Sequence, residues 1–550
     1  MTILTLDRKE LEDKIGKITK EVEEKITLFG TPVEEINNKE VSIEIFPNRP
    51  DLLNLHNFAL AFNQFNEKES IAKVKINEGE KNYVVEIEKS VKDVRPYTVC
   101  AIVKDLKLDG NRIKEIIDLQ EKLHGSLGRK RRKVAIGIYP LDKIKLPITF
   151  SAKKPSEISF VPLDSNGISM TGNQILKNHP AGLAYGDLLK GKEVFPIFSD
   201  ANGKILSMPP IINSEETGRV SEKTKEVFIE CSGHNLYYLK KCLNIIVLAL
   251  SLMGGKIYSM KIKDHKEKDM ITPDMEMAKM QFKIEDINKT LGLELKEKEI
   301  KNYLAKMGLG YENEKGKSFA LIPSYRTDIL HWIDLTEEVA IAYGYENFEA
   351  EIPKISTIGL ENKNERTKKV LSEILAGTGL LETSTFHLIS KDDAKKMHYD
   401  YKDFIEVEAS KTEANTLRID LMSNLLHIFS QNSDCSYPQK IFEVGRVFEK
   451  DVSLETGIKE TERLAVALID EKISFTDAKQ ILDYLFKMLD IEYSIENTED
   501  NNYIAGRVGA VKVNGKKIGV IGEIAPRVLR NWNIRSPVVG LEIDLGFLMN

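Results

Sequence analysis

The chain has 550 residues, 42% hydrophobic and 30% charged, with a formal net charge of −6 and a pI near 6.0. That length holds about three to five packed domains, and no run of about 18 apolar residues is present to span a membrane. The acidic balance requires any nucleic acid to be held by a local basic patch. Four scattered cysteines without a Cys-x-x-Cys pair argue against structural zinc or a disulfide framework, and the charged start MTILTLDRKELEDK is not a secretory signal. A reducing cytoplasm is the expected location.

The first segment, residues 1–85, reads as a small α/β domain. A helical stretch from Asp7 to Ile26 leads through LFGTPVEE to a strand, Val41 to Phe46. The turn PNRPD then opens a helix whose apolar face carries Leu52, Leu55, Phe58 and Ala59.

The second segment, residues 90–262, reads as α+β. Its strand-like runs are TVCAIV, KVAIGIYP, SEISFVP, EVFPIF and EVFIECSG, separated by turns such as Asn166-Gly167 and Asn202-Gly203. Helical patterns cover Arg112–Leu123 and Leu236–Met253. Arg129, Lys130, Arg131, Arg132 and Lys133 are five adjacent cations ahead of the apolar run VAIGIY. Such a run can hold a phosphate backbone or form a solvated loop. His179, in NHPAG, reads as a turn residue with backbone hydrogen bonds, and so does His234. The charged stretch KDHKEKD, residues 263–269, reads as a linker.

The third segment, residues 271–348, contains IPSYRTDILHWIDLTEEVAIAYGY. An apolar strand meets Pro323, then Arg326 and Asp328, then a helix with Asp334, Glu337 and Glu338 at i, i+3 and i+4, on one face. Four carboxylates at one helix start repel unless a cation or a basic partner sits between them, and a hard dication prefers oxygen ligands. Asp334 and Glu337 also read as a capping box, which only stabilises the helix start. The layout strand, proline turn, Arg-x-Asp, apolar helix occurs twice, at Ile45–Phe62 and Leu321–Tyr343. Arg49 and Asp51 correspond to Arg326 and Asp328, and LFGTPVEE to KMGLGYEN. The first copy has Asn57, Leu60 and Ala61 where the second has acids, so the fold itself does not need them.

A Pro-containing connection, residues 349–362, precedes the last segment, residues 360–550. Alternating helices and strands there suggest a mostly antiparallel sheet flanked by helices, with a hairpin at Asn514-Gly515. No Walker A loop, dinucleotide fingerprint, H-E-x-x-H or serine elbow occurs.

Residues 322–345, with P-S-Y-R-T-D-I, D-L-x-E-E-V-A and Y-G-Y, resemble the β subunit of phenylalanyl-tRNA synthetase. The strings QEKLHGSLGRKRRKVAIGIYPLDK, SFVPL, GNQILKNHPAGLAYGDLL and LSMPPIINSEETGRV resemble the editing region of its archaeal and eukaryotic form. LRIDLMSNLLHIFSQN, QKIFEVGRVF, YIAGRVGAV and IGVIGEIAPRVL resemble its catalytic-like domain.

The resemblance implies a multi-domain α+β fold: small winged-like α/β units, an α+β editing domain and a class II synthetase-like antiparallel sheet domain without active-site motifs. It implies magnesium at Asp328, Asp334, Glu337 and Glu338, and tRNA contact at residues 129–133. It also implies hydrolysis of tyrosyl-tRNA in a pocket with Glu230, Ser232, Ser207 and Phe198. The family's Asp and Thr, in a string like FIDVTGT, are Glu230 and Ser232 here, which keeps a carboxylate acceptor and a hydroxyl. Glu443 and Arg446 do not reproduce the phosphate-binding arrangement of an active class II site, and GEIAPRVL lacks the glycine-rich motif with its arginine. ATP and the aminoacylation site are therefore expected on an α subunit, in a tetramer of two α and two β chains. A C-terminal anticodon-binding extension of the bacterial kind is expected to be absent. The rival reading is a stand-alone RNA-binding or trans-editing protein descended from that subunit.

Overall fold

The computed structural model describes residues 2–264, 269–352, 357–397, 401–408 and 410–549. It is a mixed α/β chain with several sheets that separates into two compact units, Met1–Glu351 and Ile352–Asn550. Among the described residues no helix is long and apolar enough to cross a membrane.

The first unit contains the repeat seen in the sequence. Strands Thr2–Asp7, Val33–Ile36 and Glu40–Ile45 form an antiparallel sheet with the third strand in the middle. Strands Ala278–Phe282, Gly310–Glu314 and Lys317–Ile322 repeat that order. In each copy two short helices connect the first two strands, and the second helix ends near a left-handed glycine, Gly30 or Gly308. The stretch expected as one helix over Asp7–Ile26 is two, Arg8–Ile15 and Lys20–Leu28, and a strand precedes it. Gly16 at φ 98° stops the first helix, and Thr19 caps the second. Helix Leu55–Phe65 buries Phe58 and Phe62 against Phe29, burial worth about 3–5 kcal/mol for each large aromatic removed.

Between the copies lie two larger sheets and a two-stranded one, Ser159–Phe160 with Met170–Thr171. One has five strands, in the order Ile76–Asn77, Lys256–Tyr258, Tyr97–Lys104, Val227–Gly233 and Val134–Pro140. Helices Gly110–Gly125 and Leu236–Leu252 cover one face through Val99, Ala101, Val103, Ile229 and Cys231. The other face carries Cys100, Ile102, Tyr139 and Phe228, packed with Val85, Phe150 and Phe198 of a seven-stranded sheet. The period-two alternation of the strands divides the two faces. SEISFVP contributes only the short strand Ser159–Phe160. In the stretch read as a linker, Lys263 and Asp264 belong to strand Met260–Asp264, and residues 265–268 lie outside the described residues. Residues 353–356 of the Pro-containing connection also lie outside them.

In the second unit a seven-stranded sheet runs Leu381–Glu382, Gln439–Lys450, Ile458–Ile469, Val538–Asp544, Lys516–Ile524, Tyr503–Val513 and Ser494–Asn497. All neighbours are antiparallel except the first pair. Asn514 and Gly515, both at positive φ, make the expected hairpin turn. Helices Lys363–Gly377 and Phe475–Met488 pack into one core of this unit, and Met422–Gln431 and Pro526–Asn531 into another.

Candidate functional site

Strand Val227–Gly233 turns Phe228, Glu230 and Ser232 toward the inter-sheet side, so two polar groups continue an apolar row. Glu230 is 1% exposed. Burial pushes its carboxyl up to about 8, against the pull of Arg95 and of the nearby Ser232 and Tyr139 hydroxyls. At neutral pH it is a protonated acid, not the carboxylate acceptor expected from the sequence. Its Oε1 lies 3.3 Å from the Tyr139 hydroxyl, and its buried Oε2 has no partner. Tyr139 is also 2.8 Å from Ser207 Oγ and 3.3 Å from Asn213 Oδ1. Gly137 faces Glu230 across the strand pair, and a Cβ there would lie 2.2 Å from the Tyr139 hydroxyl. Glycine at 137 therefore leaves the room in which Tyr139 and Glu230 meet.

Glu230 lines a cleft of about 460 Å³. Ile116, Ile138 and Ile211 supply apolar wall, with Asn213, His124 and Arg131 as polar neighbours. Of the other predicted pocket residues, neither Ser207 nor Ser232 lines the cleft, and Ser207 joins Glu230 through Tyr139. Ser232 is engaged differently: its Oγ accepts from Arg95 Nε at 3.0 Å and its carbonyl from Arg95 Nη2. Burial lowers Arg95 to about 10, so it stays charged at neutral pH. Phe198 does not line the cleft. It pairs with Ser207 across the strands and stacks on Phe150 at 4.3 Å, within the inter-sheet core. Tyr139, Gly137, Asn213, Arg95 and His124 were not singled out from the sequence. The only local signal was a glycine and a tyrosine alternating inside the apolar run VAIGIYP.

The basic run divides. Arg129, Lys130 and Arg131 are consecutive residues at positive φ, at 47°, 53° and 66°. This backbone sends Arg131 inward: it donates to the Ile211 carbonyl at 2.9 Å and to Glu121 at 2.9 Å, and its guanidinium lies 4.2 Å from the Tyr185 ring. Lys133 lies over the Tyr238 ring at 4.2 Å. Arg129, Lys130 and Arg132 remain exposed. His124 accepts from the Ile136 amide through Nε2 at 2.8 Å, and burial lowers its pKa. His179 caps helix Pro180–Tyr185 and bonds the Leu163 carbonyl at 2.9 Å, the turn role expected of it. His234 is exposed and lines a second recess, beside Arg95.

The four carboxylates of the third segment do not converge on one point. Asp328 accepts a bidentate pair from Arg326, at 2.9 and 2.6 Å, and lies 4.0 Å from Arg49, which is itself paired with Asp51. Although burial raises it, Arg326 holds the Asp328 carboxyl down at about 2. Glu338 Oε2 sits 2.8 Å from Arg326 Nη2 without hydrogen-bond geometry, and burial raises its pKa. Asp334 Oδ2 accepts from the Leu330 and His331 amides at 2.7 Å each, as a cap. Glu337 faces outward. Among the described residues no group of three or more His, Cys, Asp or Glu is arranged to hold a metal ion. The set as a whole therefore does not fit a hard dication. Arginines neutralise two members, the helix start takes the third, and the two Arg-x-Asp copies meet through Arg49 and Asp328.

In the second unit Glu443 and Arg418 form a buried pair at 2.7 Å. Arg446 is paired with Glu460 at 2.5 Å and Glu462 at 3.1 Å. Both arginines are engaged with carboxylates, Arg418 in the interior and Arg446 at the surface.

Three family descriptions match in chain order: B3/4 domain over residues 80–241, tRNA synthetase B5 domain over residues 280–345, and phenylalanyl tRNA synthetase beta chain CLM domain over residues 349–545. The phenylalanine–tRNA ligase beta subunit of Pyrococcus abyssi is 43% identical, over 85% of this chain and 84% of the relative. That of Methanococcoides burtonii is 34% identical over 99% and 100%. The crystal structure of an N-terminal fragment of the phenylalanyl-tRNA synthetase beta-subunit from Pyrococcus horikoshii aligns with a TM-score of 0.59 and 37% identity, covering 62% of this chain and 99% of that one. The chain belongs to the phenylalanine–tRNA ligase β-subunit family.

Proposed function

We propose that this β subunit supports ATP-dependent attachment of phenylalanine to its tRNA by an α subunit, in a tetramer of two of each, and hydrolyses tyrosyl-tRNA in the Glu230 cleft. The observation that carries the hydrolytic part is the Glu230 carboxyl: protonated at neutral pH, lining the cleft, with Oε2 unpartnered. A pocket that selects phenylalanine by apolar fit cannot strongly reject an analogue that only adds a hydroxyl, whereas a site that hydrogen-bonds that hydroxyl discriminates strongly. Glu230 offers a donor and an acceptor to a phenol, and the isoleucine walls take its ring. The described lining has no serine, threonine or cysteine, so this reading assigns the attack on the ester to water. Tyr139 and Gly137 keep Glu230 in place, and Arg131 and the exposed Arg129, Lys130 and Arg132 form the tRNA-facing rim.

The four-part division of the chain belongs to the same reading, with residues 90–262 as the editing domain, residues 271–348 as a small α/β unit and residues 360–550 as an inactive class II-like copy that packs against the α subunit. ATP is then held by that partner. Magnesium is assigned no step. Mg²⁺ usually takes one or two carboxylates and keeps its waters, and at this helix only Glu337 and the remaining oxygen of Asp334 are open to it. The test is co-expression with the α subunit, followed by phenylalanylation and tyrosyl-tRNA clearance assays. Charging that needs both chains, with tyrosyl-tRNA cleared, is the expected result. Charging without clearance would refute the hydrolytic assignment.

A further inference from the structure

A groove of about 410 Å³ opens between strand Thr2–Asp7 and helix Gly110–Gly125, and it shares no lining residue with the Glu230 cleft. The strand is the edge of its three-stranded sheet. One step beyond the Asp7–Glu40 pair, the Arg8 amide donates to the Lys39 carbonyl at 2.8 Å. Hydrogen-bonded pairs alternate along an antiparallel ladder, so Leu6 and Leu4 bond inward to strand Glu40–Ile45. The amides of Ile3, Thr5 and Asp7, and the carbonyls of Ile3 and Thr5, therefore point away from the sheet. The Glu44 amide, opposite Ile3, bonds the Pro32 carbonyl on the far side, as this alternation requires. All three residues are exposed, and the Ile3 side chain is 45% exposed.

The rest of the groove is built to meet a polar chain. Its floor includes Asn54, 2% exposed, whose Oδ1 accepts from the Asn57 amide at 3.0 Å and whose Nδ2 has no partner. A buried donor fixed in this way costs free energy until an acceptor arrives. The opposite wall presents Lys114, Asp118 and Lys122 at i, i+4 and i+8 on one helix face, with no ion pair among the described residues. Burial lowers Lys122, so an anion beside it would be stabilising. The two ends of the groove differ in charge. Glu10 bonds Asn111 and Arg112, which brings Asp7 and its register partner Glu40 beside the start of the helix. Lys122 lies about three helical turns further on. One end is therefore acidic and the other basic. Carboxylates outnumber lysines five to two in the lining, which disfavours a nucleic-acid backbone. Outward amides and carbonyls at every second residue match an extended polypeptide instead.

We propose that this groove docks an extended segment of the α subunit. That segment adds a fourth strand beside Thr2–Asp7, offers a carbonyl to Asn54, and turns a basic side chain toward Asp7 and Glu40 and an acidic one toward Lys122. An edge with free backbone groups pairs with any extended chain unless a working assembly covers it, and the α subunit is the polypeptide that the proposed function supplies. The docking rests on that reading.

The test is residue-resolved hydrogen–deuterium exchange of the full chain, alone and in complex with the α subunit. In the complex the Ile3, Thr5 and Asp7 amides should slow at least tenfold, whereas Leu4 and Leu6, already bonded inward, should change little. Thr5→Pro removes one outward donor, and an edge strand tolerates proline where the missing N–H faces away from the ladder. Lys122→Glu reverses the charge at the basic end. Each should raise the Kd for the α subunit about tenfold, while Lys122→Arg keeps the native value. Unchanged Leu4 and Leu6 protection in each isolated variant shows that the sheet is intact. A complex that charges tRNA but leaves Ile3, Thr5 and Asp7 unprotected would overturn the docking and spare the proposed function. Equal slowing of all five amides would also overturn it, because that is general stabilisation and not an added strand. Failure of the two chains to associate would refute the docking and the proposed function together.

Discussion

Glu230→Gln isolates the ionisation of the buried carboxyl, because it keeps the size of the side chain and removes its titration. The native carboxyl titrates near 8 when folded, against an ordinary value of 4.5. Between those values the folded state holds a proton that the unfolded chain has released. Stability therefore falls as pH rises, with the full benefit present below the unfolded value and lost through the folded one. At about 1.4 kcal/mol per unit the whole window is worth on the order of 5 kcal/mol, of which about 2 kcal/mol falls between pH 6 and pH 8. Hydrogen–deuterium exchange of strand Val227–Gly233, corrected for intrinsic rates, measures this locally. The native chain should lose about 2 kcal/mol of protection over those two units, and Glu230→Gln should lose little. An equal loss in both proteins would show that Glu230 is not protonated at neutral pH, and the donor role of Oε2 would fall with it.

Truncating the same residue tests recognition: Glu230→Ala should cut tyrosyl-tRNA clearance by about 10- to 100-fold while charging by the α subunit continues, and parallel loss of both activities would sink the pocket. Gly137→Ala places a methyl 2.2 Å from the Tyr139 hydroxyl and 2.7 Å from Glu230 Oε1, so clearance should fall at least tenfold with charging retained (about 1.4 kcal/mol); an unimpaired variant would show that the close approach is not needed. Removal of the Asp334 cap by Asp334→Ala should cost about 1 kcal/mol with no change in bound metal by elemental analysis, and loss of a stoichiometric ion would restore the metal reading. Arg326→Ala leaves Asp328 and Glu338 buried without their cation, so about 3–5 kcal/mol of stability should be lost; a change under about 1 kcal/mol in denaturant unfolding would mean that the network does not join the two repeats.

Much of this protein is legible from local pattern, because local pattern depends on chain neighbours. The repeat was visible as two Arg-x-Asp turns after apolar strands, and the two copies share one strand order. The helix carrying Asp334, Glu337 and Glu338 follows from spacing, but its capping box, read from the sequence as Asp334 with Glu337, is formed by His331 and Asp334. Family membership also lies in the sequence, in strings spread over most of the chain. Where local reading failed, a single glycine or a turn was decisive: Gly16 cuts the first helical stretch in two.

What the tertiary structure alone decided is the state of each charged group. Whether four acids bind a dication or two arginines depends on Arg49, far away in sequence, arriving beside Asp328. Whether residues 129–133 face RNA or the protein depends on the Pro210–Ile211 backbone and Tyr185 waiting for Arg131. Glu230 reads as a carboxylate from its residue type, yet the inter-sheet packing that buries it beside Tyr139 makes it an acid. Periodicity and capping are set within a few residues of one another, so sequence determines them. Burial and ion pairing are set by which distant segments meet, and only the folded chain specifies that.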